Sequence, residues 1–336
     1  MFKSLVGGYV PVVKDQHGNV LKDSISQLEK LTLGGVTQWI TIRGKNKNLP
    51  ILLFLHGGPG SPQTGAQRKY NRVLEDEYIV VNWDQRGSGK SFTPEVKKES
   101  LTVNQLLSDA YELVTYLLNK FNQEKLFIMG HSVGAALGLL FAGKYPNLIH
   151  AYIGINQPVH RQEEEKKSYT FALDVAKRKH DKKAIAQLES IGFPENGLYR
   201  KIEDMVVQRT WLTKYKGVAY KKNAALINMN YLLSSHLTWK ERLNFMKGFG
   251  FSSTNLWNEI TSLNLFQLVP ELHVPVYFII GRHDKIVFHE LVTDYFEQLR
   301  AKEKQLIVFE ESGHLACFEE PGKFNQLMND IKKNHL

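Results

Sequence analysis

The sequence holds a single cysteine, Cys317. One thiol cannot close an internal disulfide, so a cystine-stapled scaffold is excluded, and so is a cysteine-rich zinc site. A lone cysteine fits a reducing compartment, and the cytoplasm is the expected location. No apolar run approaches the roughly 18 residues that a membrane span needs. No repeat period recurs and no low-complexity segment breaks the chain, which sets aside solenoids and disordered linkers. Acid excess is also missing: 43 Lys and Arg stand against 34 Asp and Glu, a net charge of +9.

What is present is ordinary globular material. The 336 residues are 43% hydrophobic and 23% charged, enough to bury a core without metal or disulfide support. The basic surplus concentrates between Arg161 and Lys222, where 15 Lys and Arg face 9 Asp and Glu. No nucleic-acid-binding motif accompanies it, so it reads as solvated helix faces and no nucleic-acid partner is expected. The opening segment MFKSLVGGYVPVV has no small-residue cleavage site and is broken by Pro11, so an early strand is expected rather than a signal peptide.

Along the chain, short apolar runs alternate with helical periods. Strands are expected at 38–42, 51–55, 78–83, 126–129, 151–155, 276–280 and 306–309. Runs of four to six residues without polar alternation suggest strands buried on both faces, as in a parallel sheet between helix layers. Val103, Leu106, Leu107, Ala110, Leu113, Val114, Leu117 and Leu118 mark one helical face, with Thr102 as its N-cap. Further helices are expected at 133–145, 291–300 and 324–332. The stretch 158–270 carries charge and helical spacing but no buried-strand run, and is expected to be a helical insertion over the strand ends. The expected organisation is therefore a first core part at 1–157, a cap at 158–270 and a second core part at 271–336.

The sharpest motif is Gly130-His131-Ser132-Val133-Gly134, which follows a strand and opens a helix. That is the setting of a nucleophile elbow, where a tight turn exposes a serine hydroxyl at the sheet edge. Serine needs a base, and the base needs a carboxylate to orient it. Asp284 lies just past one strand, in Gly281-Arg282-His283-Asp284, and His314 lies in the loop after the next. These are the expected acid and base, in the chain order this arrangement uses. His283 and His131 are the weaker alternatives. The backbone N–H of Val133 and that of Gly58, with Gly57 as its alternative, are expected to form an oxyanion hole. The loop from Trp83 to Ser91 is Gly-rich but lacks phosphate-loop spacing; it is expected to be a turn tied by Asp84 and Arg86. Cys317 is expected to be a small core residue.

Taken together and in this order, HGGPG, WDQRGSGKS, GHSVG, GRHD and SGH resemble the α/β-hydrolase superfamily, and most of all its proline iminopeptidase family of serine peptidases. The resemblance covers residues 36–156 and 274–334. It implies an α/β-hydrolase fold, Ser132 as nucleophile, His314 as base, Asp284 as its orienter, and a small-molecule or short-peptide substrate cleaved through an acyl-enzyme. It implies no cofactor and no metal, and it leaves the oligomeric state open. The cap departs from the family. Iminopeptidases hold the substrate amine with cap glutamates, in Trp-Glu-Gly and Ile-Glu-Asn-His-Tyr steps. The nearest segments here are Tyr215-Lys216-Gly217 and Ile227-Asn228-Met229-Asn230-Tyr231, so Lys216 and Asn228 stand where the glutamates would. Lys216, Asn228, Tyr215 and Tyr231 are the expected substrate contacts, favouring neutral or anionic acyl groups over a free amine. Glu163 to Glu165, Glu203 and Glu241 are expected to be surface helix charges. A carboxylesterase, and more remotely a ligand-binding protein of the same fold, are the alternatives to a peptidase.

Overall fold

The computed structural model describes residues 8–336. Of the expected N-terminal strand, residues 1–7 lie outside the described residues, and 8–13 form no strand. The reason is local: the Pro11 carbonyl accepts from Ser26 Oγ at 2.6 Å and from the Arg43 guanidinium, side-chain bonds that replace a ladder.

The strands are β1 (Ile25–Leu33), β2 (Val36–Gly44), β3 (Ile51–Leu55), β4 (Ile79–Asp84), β5 (Leu126–His131), β6 (Ile149–Ile155), β7 (Glu271–Leu272), β8 (Val276–Gly281), β9 (Arg300–Ala301) and β10 (Lys304–Phe309). Eight of them form one sheet in the order β1-β2-β4-β3-β5-β6-β8-β10. The β1–β2 and β2–β4 pairs are antiparallel, and every pair from β4 to β10 is parallel. β3, β4, β5 and β8 are buried at every residue, as their apolar runs require, and β4 buries Asn82 and Asp84 with them. β10 differs from expectation: it is an edge strand, and most of it is only partly covered. β1, at the other edge of the sheet, carries no strand signal, because in ISQLEKLTL the apolar Ile25, Leu28 and Leu31 fall three apart rather than in alternation.

The helices are α1 (Thr64–Tyr70), α2 (Val103–Phe121), α3 (Val133–Lys144), α4 (Arg161–Arg178), α5 (Lys182–Ile191), α6 (Ile202–Lys214), α7 (Ala224–Leu232), α8 (Trp239–Thr261), α9 (Leu265–Leu268), α10 (His289–Gln298), α11 (Ala316–Glu319) and α12 (Pro321–His335). Thr102 caps α2, its hydroxyl accepting from Gln105 N at 3.1 Å. Two apolar clusters cover the two faces of the sheet, and α2 and α3 build much of the larger. Between β6 and β7 the described elements are helices α4 to α9. Tyr169, Leu188, Trp211, Leu212 and Tyr215 give that insertion a small core of its own, while Leu256 and Ile260 of α8 join the sheet core. No helix among the described residues is long and apolar enough to cross a membrane.

Candidate active site

Ser132 sits between β5 and α3 with φ 53° and ψ −124°, a conformation L-residues rarely adopt. The flanking glycines make it feasible. A Cβ at Gly134 would lie 2.1 Å from the Leu55 carbonyl oxygen, and one at Gly130 would lie 2.3 Å from that of Gly134. The turn is pinned by Ser132 N donating to the Ile155 carbonyl at 2.9 Å.

His314 and Asp284 converge on this serine from the loops after β10 and β8. The Ser132 hydroxyl lies 2.9 Å from His314 Nε2, and His314 Nδ1 lies 2.7 Å from Asp284 Oδ2. Asp284 is 1% exposed. Its Oδ1 accepts from Ile286 N at 2.8 Å and Val287 N at 3.0 Å, and its Oδ2 also accepts from Asn156 Nδ2 at 2.8 Å. The base loop is fixed twice more: His314 N donates to the Val218 carbonyl of the insertion at 2.7 Å, and its own carbonyl lies 2.7 Å from His131 Nε2. Burial, and then the neighbouring His314, hold His131 down to about 3, so it is a neutral donor rather than a second base. His283 is elsewhere, its ring stacked on Tyr220 at 3.6 Å.

The HGGPG loop is anchored from behind by His56. Its Nδ1 meets the Gly57 carbonyl at 2.8 Å, and its Nε2 accepts from Gln85 N at 3.2 Å. Burial lowers this histidine to about 4. Gly58 has φ 120°, which a side chain would not tolerate. Gly57, Gly58, Ser132, Val133 and His314 all line one cavity of about 180 Å³. Asp84 and Arg86 tie the next loop, as expected. Asp84 Oδ2 accepts from Lys90 N at 2.9 Å, and Arg86 makes a two-pronged bond to Asp109 at 2.7 and 2.8 Å. Cys317 is fully buried in the core, and burial pushes its thiol up.

The insertion closes the cavity with a set of residues mostly different from those expected. Asn228 lines it; Lys216, Tyr215 and Tyr231 do not. Lys216 is exposed, at φ 64° just past the end of α6, where the chain turns away from the helix. Tyr215 is buried in the core of the insertion with its hydroxyl 3.1 Å from Asp181 Oδ2, and the Tyr231 hydroxyl donates to Asp84 at 2.6 Å. In their place stand Arg161, Met205, Arg209, Phe249 and Trp257. Glu164 and Glu165 are completely buried, not surface charges. Glu164 bonds Arg161 at 2.5 Å, and Glu165 bonds both Arg161 and Arg209. Burial opposes the charge on Glu165, but Arg209 and Arg161 outweigh it and hold its carboxyl below the usual range. Glu163 pairs with Lys166, Glu203 is exposed in the first turn of α6, and Glu241 caps α8 and binds Lys90 at 2.6 Å. The Arg-x-x-Glu-Glu spacing of 161–165 was the available signal for this network, since residues three and four apart share a helix face.

The chain belongs to the α/β-hydrolase family, whose fold model matches residues 50–184. It is 33% identical over 316 residues to the probable aminopeptidase YbaC of Bacillus subtilis, covering 94% of this chain and 99% of that one. It is 23% identical to a proline iminopeptidase of Saccharolobus solfataricus, over 86% of each chain. Among solved structures, a proline iminopeptidase-related protein of Thermus thermophilus superposes with a TM-score of 0.65 at 18% identity, covering 93% of this chain and 98% of that one. That likeness speaks to the fold.

Proposed function

We propose that this protein is a serine hydrolase that cleaves a small amide or ester through an acyl-enzyme, with residues 158–270 as the cap over its site. The observation that carries the reading is the continuous line from the Ser132 hydroxyl to His314 at 2.9 Å and on to Asp284 at 2.7 Å. In this reading His314 Nε2 takes the hydroxyl proton as Ser132 attacks the substrate carbonyl, and Asp284 holds the Nδ1–H tautomer and stabilises the imidazolium. The N–H groups of Val133 and Gly58 receive the developing oxyanion. His314 returns the proton to the leaving group, and water then releases the acyl group by the same steps.

The relative in Bacillus subtilis supports an aminopeptidase. A peptidase of that kind needs a carboxylate for the substrate amine. Glu165 is the candidate, since it pairs with the cavity-lining Arg161 and Arg209, but it is fully buried and would meet the amine only by leaving them. The second reading, an esterase acting on neutral or anionic acyl groups, is favoured by the cavity wall, where Arg161 and Arg209 appear but no carboxylate does.

A fluorophosphonate probe should label the native chain and spare Ser132→Ala, and the variant should lose a factor on the order of 10⁴–10⁶ in turnover while unfolding as before. A tenth of native activity in the variant would exclude Ser132 as nucleophile. Proline 4-nitroanilide, its N-acetyl form and a short-chain nitrophenyl ester then separate the two readings. A free-amine preference above about tenfold, near 1.4 kcal/mol, selects the peptidase.

A further inference from the structure

Glu319 is a buried carboxylate that the hydrolytic chemistry does not use. It lies on α11, is 7% exposed, and turns its two oxygens to two different parts of the chain. Oε1 accepts from Gly313 N at 2.8 Å, one residue before His314. Oε2 accepts from Tyr220 N at 2.8 Å, in the segment 215–223 that joins α6 to α7 of the insertion. Burial raises its carboxyl, and the N–H groups of Gly313, Tyr220, Leu315 and Lys221 act against that rise. A carboxylate is costly to bury, and charge-assisted bonds from N–H groups on two sides are what make this one tenable.

The segment that Glu319 holds also touches the loops of both Asp284 and His314. The Gly217 carbonyl accepts at 2.9 Å from the N–H of Lys285, the residue after Asp284, and the Val218 carbonyl accepts from His314 N at 2.7 Å. The Tyr220 ring lies 3.6 Å from that of His283, the residue before Asp284, and 9° from parallel to it. The Lys222 ammonium donates to the Phe318 carbonyl at 2.8 Å. One stretch of the insertion therefore fixes the acid loop and the base loop against each other. The base loop leaves β10, the last strand of the sheet, so one flank of it has no neighbouring strand end. Bonds to Gly313 N and His314 N, from Glu319 and Val218, supply restraint there.

We infer that Glu319 is a positioning residue for His314: it ties the base loop to the segment 215–223, so the alignment of Ser132, His314 and Asp284 depends on the insertion being in place. The inference rests on the hydrolytic reading of those three residues. Glu319 and Tyr220 are not among the residues lining the cavity beside Ser132, so their loss should slow the chemical step and spare substrate binding. Full-length Glu319→Gln, Tyr220→Ala and Tyr220→Phe should be compared with the native chain in fluorophosphonate labelling rate, in kcat and KM on 4-nitrophenyl acetate, and in melting temperature. Glu319→Gln leaves one acceptor for two N–H groups. Its labelling rate and kcat should fall by about tenfold to a hundredfold with KM within about threefold, since misplacement by an ångström is enough for such a loss. Tyr220→Ala should fall in the same way, and Tyr220→Phe, which keeps the stacked ring, should stay within about twofold of native. The double variant Glu319→Gln, Tyr220→Ala should be within about twofold of the slower single one, because both act through one segment. A lower melting temperature with labelling and kcat of the folded Glu319→Gln chain within about threefold of native would overturn the inference and leave Glu319 a purely structural carboxylate. If that variant does not fold, the Tyr220 pair decides: an Ala variant as fast as the Phe variant overturns the inference. A native chain that takes no probe overturns the hydrolytic reading and this inference with it, whereas native and Glu319→Gln chains labelled equally fast sink this inference alone.

Discussion

Asp284→Asn changes one atom and should be among the most damaging substitutions in the chain. Four donors converge on the carboxylate: Ile286 N and Val287 N on Oδ1, and Asn156 Nδ2 and His314 Nδ1 on Oδ2. An amide offers one acceptor oxygen. If its NH₂ takes the Oδ1 place, it confronts two backbone N–H groups that cannot turn away. If it takes the Oδ2 place, it confronts Asn156, and His314 regains a bond only by moving its proton from Nδ1 to Nε2. A histidine protonated at Nε2 cannot accept the Ser132 proton. The first orientation strands two buried backbone donors and the second, once His314 has changed tautomer, costs one bond from Asn156; at about 1–3 kcal/mol each this predicts about 1–6 kcal/mol of lost stability. The wrong tautomer predicts a fall in kcat on the order of 10⁴. Ester hydrolysis, fluorophosphonate labelling rate and urea unfolding should be measured on the same preparation. The expected result is a chain still folded in buffer, less stable to urea, with turnover and labelling both collapsed. A folded variant within tenfold of native turnover would refute the proposed role of Asp284.

Acid should destabilise the protein before it touches most carboxylates. Burial holds His56 to about 4 and His131 and His236 to about 3, so the unfolded chain binds these protons first. Their stabilisation is complete above about pH 6.5 and is lost as pH falls toward 3, with about 3 kcal/mol at stake for His56 and about 5 kcal/mol for each of the other two. Asp84, raised to about 6 by burial, works the other way below that pH, as do Glu164 and Glu319, whose carboxyls burial also raises, but the three histidines are shifted further. Urea midpoints should therefore drop from pH 7 to pH 4, and His236→Gln should flatten the slope; a level profile in the native chain would contradict the argument. Asp109→Ala leaves the Arg86 guanidinium, 2% exposed, without its carboxylate, and should cost about 3–5 kcal/mol by urea unfolding. A loss below about 1 kcal/mol would show that Arg86 finds another partner. Lys216→Glu should leave the ratio of free-amine to acetylated substrate rates unchanged, since Lys216 faces solvent; a shift beyond about threefold, or about 0.65 kcal/mol, would place it in the pocket after all.

The parts of this molecule that were legible in its sequence are those where the backbone leaves few choices. ILLFL, LFIM and VYFII can be little other than strands covered on both sides, and they became β3, β5 and β8. Ser132, Asp284 and His314 could be placed beside one another because each follows a strand end of one parallel sheet, and such a sheet delivers its loops to one edge. Where covering is partial the signal faded: β1 went unseen and β10 looked more buried than it is. The insertion was legible as helices and illegible as a surface. Aligning Tyr215-Lys216-Gly217 with a known glutamate step assumed that a residue in register also points the same way. Lys216 instead occupies the left-handed residue that ends α6, so its side chain leaves the cavity and Arg209, on the same helix, enters it. Helix phase and helix length decide which face meets Ser132, and both depend on packing among α4, α5 and α6. The same reasoning explains why Glu164 and Glu165 looked like surface charge. A carboxylate is tolerated at zero exposure only with a cation supplied from elsewhere. Arg161 was visible four residues away, but Arg209 comes from another helix, and no local spacing could announce it.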